Sequence, residues 1–341
     1  MNTYSVLFSI KIGGPNQNYH ILMKALESIK SKVFSENYQI LISYEINNPL
    51  MVSFIESIRD SRIIKNKVVN YSWYDWMIHS SQIAKNFDYL FLMHDDIFFL
   101  TKNFDQLLHN IVNNKDGIGI INLKDTLYED GYYKSQARHG FYKDRIYERA
   151  SEKGLFAEFH KQKPFWHRNN LRVKNTLYKL NIHHNKLSKK FLSNLFFDKK
   201  NFHIPKGIIK THGGFNDLMI FKKENLKIFD NICDFKVPYG LNSDEDLCLL
   251  SLKLGLNNIL ISEICYKSNY EFNFVTTRSY NSHSKDRAKC DKIFKEKWGF
   301  PLYSANISID ENISFVKKAE KLHGQNIVWT KNFNSYEYQY L

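Results

Sequence analysis

The 341-residue chain has only four cysteines, Cys233, Cys248, Cys265 and Cys290, and no CxxC pair. At spacings of 15, 17 and 25 residues they suit neither zinc ligation nor a disulfide framework. They read as reduced thiols packed like small apolar residues. No run approaches the ~18–20 consecutive apolar residues of a membrane span. The N-terminus, MNTYSVLFSIKIGG, lacks a basic n-region and a small-residue cleavage site, so no signal peptide is expected and the cytoplasm is the expected address. Internal repeats are absent as well. Hydrophobic residues make up 43% of the chain and aromatics 15%, with 26 Phe and 21 Tyr. That is a globular composition, and a chain of this length folds with roughly three quarters of its surface buried.

The formal net charge is +13 and is unevenly spread. Residues 160–201 carry eleven Lys and Arg against one acid, Asp198, a local net of +10. A solvated face is the ordinary explanation of such a block; an anionic membrane surface is the sharper one. Nucleic acid is the weaker reading, because zinc-finger spacing, an RNP-like motif and heptads are all missing.

Phe87–Phe99 (FDYLFLMHDDIFF) holds the most informative chemistry. Tyr89 to Met93 form an unbroken apolar run that suits a strand buried on both faces. The run breaks at His94, Asp95 and Asp96 and resumes at Ile97. Two carboxylates and an imidazole at the end of a buried strand are costly unless solvated, paired or bound to a metal. Hard carboxylate oxygens suit Mg²⁺ or Mn²⁺ bridged to substrate phosphates. A polar strand end with an Asx turn is the plainer alternative.

Along the chain, Tyr4–Ile10 reads as a first buried strand, broken at Gly13, Gly14 and Pro15. Tyr19, Leu22, Met23, Leu26, Ile29 and Val33 recur at helical spacing. Tyr38–Tyr44 is a second strand ending in Glu45, and Val68–Val69 mark a short third. Trp73, Trp76, Met77, Ile83, Ala84 and Phe87 trace one helix face, and Ile118–Leu123 is a further core strand. Strands alternating with helices predict crossover units and a mainly parallel sheet. Residues 1–125 thus read as a nucleotide-binding-like half. Residues 126–205 interleave Tyr, Lys, Arg and His without strand-like runs, and read as a basic, aromatic-rich insertion with short helical patches. Residues 206–300 form a second half of the same domain: Thr211–Phe221 with its Gly-Gly pair, a helix opened by Ser243-Asp244-Glu245-Asp246 and closed by Gly255, and a strand at Ile259–Ile264. Residues 301–341 hold one more helix and a Tyr-rich tail.

Acids after Ser243 imitate a capping box and offset the helix dipole, which alone accounts for them. The functional reading needs one carboxylate, Asp244 or Asp246, projecting into a cleft as a general base. His283, in YNSHSKDR, is ordinarily a solvated loop histidine; its value is as a third candidate ligand.

A first strand ended by Gly/Pro, a second ended by Glu45, an apolar strand ended by an acidic pair, a Gly-Gly segment, a Ser-Asp-Glu-Asp-Leu helix start and a late histidine together resemble a GT-A-fold glycosyltransferase. Family 2 or a close bacterial relative is the nearest match, over roughly 4–125 and 206–298. The resemblance implies a Rossmann-like mixed sheet flanked by helices, an Mn²⁺ or Mg²⁺ cofactor, and a nucleotide-sugar donor, with a UDP-sugar expected. The implied acceptor is a saccharide or lipid-linked saccharide hydroxyl. By resemblance Asp96 coordinates the metal, Asp95 the ribose or the metal, Glu45 faces the nucleobase, and His283 completes the metal shell ahead of Trp298. Asp244 falls on the catalytic-base position. His94 stands for the usual Asp of a DxD motif and Ser243 for the usual Glu, which leaves the base open between Asp244 and Asp246. A leaving diphosphate needs its charge neutralised and an attacking hydroxyl needs a base; one base without a second nucleophile implies inversion by single displacement.

Three rival classes are weaker. An HD-type metal phosphohydrolase builds its pair on helices, whereas this pair ends a strand-like run. A sugar-phosphate nucleotidyltransferase places an Arg in its first glycine loop, and IGGPNQNYH has none. A basic nucleic-acid- or membrane-surface-binding protein would rest on the 160–201 block alone.

Overall fold

A computed structural model describes residues 3–12, 18–46, 48–69, 72–125, 208–211, 218–232, 243–268, 289–290, 292–294 and 296–297. The basic insertion, the Gly-Gly pair, Cys233, His283, Trp298 and the C-terminal helix and tail lie outside the described residues.

The first half builds β1 (Val6–Lys11), α1 (Tyr19–Lys32), β2 (Tyr38–Glu45), α2 (Pro49–Ser57), β3 (Ile63–Val68), α3 (Trp73–Ala84), β4 (Tyr89–His94), β5 (Ile97–Phe99), α4 (Phe104–Val112) and β6 (Ile118–Asp125). The second adds β7 (Ile208–Thr211), β8 (Leu218–Lys222), a 3-10 helix (Lys223–Asn231), α5 (Ser243–Lys253) and β9 (Asn257–Ser268). Local signals start the helices. Asn18 Oδ1 accepts from His20 N at 2.9 Å, and Asn48 caps α2 with Pro49 in its first turn. Ser72 and Asp75 form a reciprocal capping box on α3.

Both halves enter one nine-stranded mixed sheet in the order β3-β2-β1-β4-β8-β6-β9-β5, with β7 paired to β9. Pairing is parallel across β3-β2-β1-β4 and between β6 and β9, and antiparallel where β8 joins β4 to β6. β4 and β5 are separated by only two residues, Asp95 and Asp96. Along the hydrogen-bonded path, however, β8, β6 and β9 lie between them. The sheet therefore curls until its far end returns to the end of β4. The 12-residue β9 makes this return: its first part pairs with β6, and its last residues take β5 at Tyr266–Ser268.

Helices cover both faces. On one, Leu7, Leu41, Leu90 and Leu92 pack against Trp73, Trp76 and Met77 of α3, Leu247 and Leu250 of α5, and Cys290 and Phe294. On the other, Phe8, Ile40, Phe91 and Met93 pack with α1, α2 and α4. The alternation of faces along β4 is the period-2 pattern of a strand buried on both sides. Asn258 locks α5 to β6: its Oδ1 accepts from Ile120 N at 3.0 Å and Ser251 Oγ at 2.6 Å. Gly119 allows that approach, since a Cβ there would collide with Ser251 Oγ. Gly255, at φ +76°, ends α5 with Leu256 N donating to Ser251 O, as expected from the sequence.

Five elements differ from the sequence reading. The third strand is Ile63–Val68 rather than Val68–Val69; as an edge strand it carries Lys65 and Lys67, which mask the apolar pattern. α2 and α4 were hidden because each spans only nine residues, barely two and a half turns. β7 has four residues, and β9 runs from Asn257 to Ser268 rather than Ile259–Ile264.

Candidate functional site

Parallel strands β1, β2, β3 and β4 deliver their carboxyl ends to one edge of the sheet, where ligands collect in open α/β folds. Asp95 and Asp96 form the turn that leaves β4, and are only 4% and 5% exposed. They sit at the seam where the curled sheet closes on itself. Such burial of adjacent like charges is unfavourable without cations or hydrogen-bond donors to offset it.

The strand register sets a row of polar side chains along the same edge. Asn66, Ser43, Lys11 and His94 are successive partners across β3-β2-β1-β4 and form a single row. One pleat earlier, the corresponding row is Ile64, Leu41, Ser9 and Leu92. Core and polar rows lie on the same face, beneath α3, so the apolar core gives way to side-chain polar groups within two residues of the strand ends. Ser9 marks the start of the change, accepting from Trp76 Nε1 at 2.9 Å with Ser80 Oγ 2.7 Å away. Asn66 Nδ2 lies 3.1 Å from Ser43 Oγ and 3.0 Å from His79 Nδ1. Trp73, at the start of α3, packs against the last two members of the row, Lys11 and His94. The His94 ring centroid is 4.9 Å from its own, and Lys11 Nζ is 5.6 Å from its ring centre.

Glu45 is the last residue of β2 and pairs with Val68, so it stands on the same edge, two strands from β4. α5 approaches from the same face. Its carboxyl half lies against the starts of β6 and β9 through Ser251 and Asn258, and its amino end therefore points to the strands' carboxyl edge. Asp244 is in that first turn and is buried. Asp246 is in a different setting: it is 0% exposed, and Lys297 Nζ holds both its oxygens at 2.8 and 3.0 Å. Lys297 also donates to Asn231 O. This ion pair ties the late helical residues to α5 and to the end of the 3-10 helix.

Asp95, Asp96, Glu45 and Asp244 are thus brought to one edge, and Asp246 is engaged as an ion-pair partner. His283 lies outside the described residues. Among the described residues no three His, Cys, Asp or Glu side chains converge as a ready metal cage. None of the described helices is long and apolar enough to cross a membrane. Lys11 and Lys297 are absent from the sequence reading. A lysine closing the apolar run VLFSIK is the same kind of signal as the acids closing YLFLM, and it was legible; Lys297, in a polar stretch, gave none.

No protein-family model and no curated protein matches the chain. Solved structures do match its fold. One is GalNAc-T7 with UDP, GalNAc and Mn²⁺, at TM-score 0.53 and 11% identity, covering 94% of this chain and 55% of that one. Another is the mannosyltransferase PcManGT from Pyrobaculum calidifontis in complex with GDP-Man and Mn²⁺, at TM-score 0.48 and 10% identity, covering 93% of this chain and 71% of that one. The chain spans little more than half of the GalNAc-T7 chain. At these identities the likeness speaks to architecture: the curled mixed sheet flanked by helices is a GT-A fold.

Proposed function

We propose that the chain is a metal-dependent glycosyltransferase of the family 2 type. It would move a sugar from a nucleoside-diphosphate sugar, in the first instance a UDP-sugar, to a hydroxyl of a saccharide or lipid-linked acceptor. The observation that carries this reading is the buried Asp95-Asp96 turn at the carboxyl end of the central strand of a GT-A sheet.

The donor set fits a hard divalent ion. Mg²⁺ and Mn²⁺ sites that use substrate phosphates need only one or two protein carboxylates, so a full protein cage is not required. Asp96 and Asp95 are the assigned ligands, with His283 as the assigned third. Bound there, the ion would supply Lewis-acid neutralisation of the leaving diphosphate. Glu45 is assigned to the nucleobase. Asp244 is assigned as the base: it takes the proton of the acceptor hydroxyl as that oxygen attacks the anomeric carbon and the bond to the diphosphate oxygen breaks. The nucleoside diphosphate leaves and the anomeric centre inverts. Asp246, whose two oxygens are held by Lys297, is the alternative base.

The test is nucleotide release from a panel of UDP- and GDP-sugars with and without Mn²⁺. Release that requires Mn²⁺ and falls about 10²-fold or more in Asp96→Asn supports the reading. Full activity in Asp96→Asn overturns the metal assignment.

A further inference from the structure

Lys11 is a buried ammonium, 6% exposed, on the edge of the sheet that carries the tandem carboxylates. Its strand partners are Ser43 and His94. The Trp73 indole lies beside it, with Nζ 5.6 Å from the ring centre, within cation–π range. β1 fixes the backbone, and Ile12 N donates to Ser43 O at 2.9 Å just beyond it, so the lysine is held to the end of its strand. The core beneath would be served by an apolar residue here, as it is by Leu7 on the same strand face. A lysine rather than an apolar residue stands here, on the edge where the parallel strands end and where ligands collect in open α/β folds.

We propose that Lys11 binds the diphosphate of the donor and receives part of the charge that develops on it as the sugar leaves. The inference rests on the nucleoside-diphosphate reading above. Three features of the row favour a phosphate as its ligand. Lys11 carries the row's fixed positive charge, Ser43 and Asn66 offer neutral polar groups, and His94 leads directly into Asp95. A diphosphate spanning from the carboxylate turn to Lys11 would meet cationic charge at both ends: a divalent ion on the acids and the ammonium on β1. A neutral sugar or nucleoside would draw no such benefit from Lys11. As the leaving group gains charge, a preorganised ammonium is worth more in the transition state than in the ground state.

The experiment measures binding of UDP, GDP, uridine and guanosine to the full chain with Mn²⁺, in wild type, Lys11→Met and Lys11→Arg. Wild type is expected to bind a nucleoside diphosphate, Lys11→Met to bind it about 10- to 100-fold more weakly, and Lys11→Arg to stay within several-fold of wild type. Nucleoside binding is expected to be unchanged by either substitution. If wild type binds no nucleoside diphosphate, the proposed function fails. If wild type binds and a folded Lys11→Met binds equally well, this inference alone fails, and Lys11 is a structural partner of its neighbours. A wild-type measurement covers a variant that does not fold: the reactivity of Lys11 toward an amine-acylating reagent, mapped by mass spectrometry. Protection by UDP or GDP and not by the nucleoside supports the inference; equal reactivity in all cases overturns it.

Discussion

At the amino edge of the sheet, Asp105 is buried, and its carboxylate accepts from Tyr4 Oη at 2.9 Å, Phe34 N at 2.7 Å and Ser35 N at 2.8 Å. Nearby, Asp88 accepts from Ser5 N and Oγ at 2.7 and 2.8 Å, and Tyr89 Oη meets His109 Nδ1 at 2.9 Å. At the carboxyl edge, Asp95 and Asp96 are buried to a similar degree, but they stand on a two-residue turn beside a row of side chains that includes a lysine and a histidine. The residue type is the same and its surroundings differ. Asp105 answers backbone and side-chain donors of the loops that start β1 and β2, so its charge is used up in joining strands to α4. The acids at the opposite edge sit where every parallel strand of the first half ends and where the path from β8 through β9 returns. Burial of a carboxylate therefore does not by itself mark a site. The edge on which it lies, and the chemistry of its row neighbours, separate the structural acid from the candidate ligand.

Substitutions at the two edges should part activity from stability. The largest expected effect is at Asp244: Asp244→Asn lowers kcat by about 10²- to 10⁴-fold, measured as steady-state nucleotide release per folded molecule. If Asp246→Asn abolishes turnover at unchanged stability while Asp244→Asn does not, the two roles are exchanged. Next, Asp105→Ala leaves two backbone N–H groups and a tyrosine hydroxyl without their acceptor. It should cost about 3 kcal/mol in a denaturant titration, with turnover per folded molecule unchanged. A loss of activity in folded Asp105→Ala would blur the distinction between the edges. Lys297→Met comes third. It strips a cation from the fully buried Asp246 and should destabilise by about 2 kcal/mol, below the figure for a fully buried pair because Lys297 is partly exposed.

The smallest effect is pH-dependent. Burial holds the His109 pKa below its ordinary value, with its ring stacked 4.4 Å from Tyr4. The unfolded chain then binds the proton more readily than the folded one. The stability from this site is present above about pH 6.5 and declines as pH falls below that. Unfolding temperatures across pH 7.5 to 5.5 should drop more steeply in wild type than in His109→Asn. Equal slopes would remove His109 as the cause.

Continuous apolar runs ended by abrupt polarity were readable in one dimension. They gave β1, β2, β4 and β6, the helices at 19–32 and 73–84, the closure of α5 at Gly255, and the Asp95-Asp96 break. These are local: burial on both faces writes itself as an unbroken hydrophobic run, and a helix face as a 3.6-residue period. Short helices, a lysine-bearing edge strand and a four-residue strand left too little pattern to read. The sequence also placed Asp244 and Asp246 in one helical turn without separating them, because both suit a first turn equally well.

The residues alone thus determined that an α/β sheet would form and that two acids would end one of its apolar strands. Tertiary structure decided what stands beside those acids. Strand register, a long-range property, aligned Lys11 with His94 across 83 positions of sequence and set Ser43 and Asn66 in the same row. Curling of the sheet through β9 brought β5 back to the end of β4, and an ion pair joined Lys297 to Asp246 across 51 positions of sequence. Each depends on hydrogen bonds or ion pairs between distant segments, whose partners no local pattern specifies.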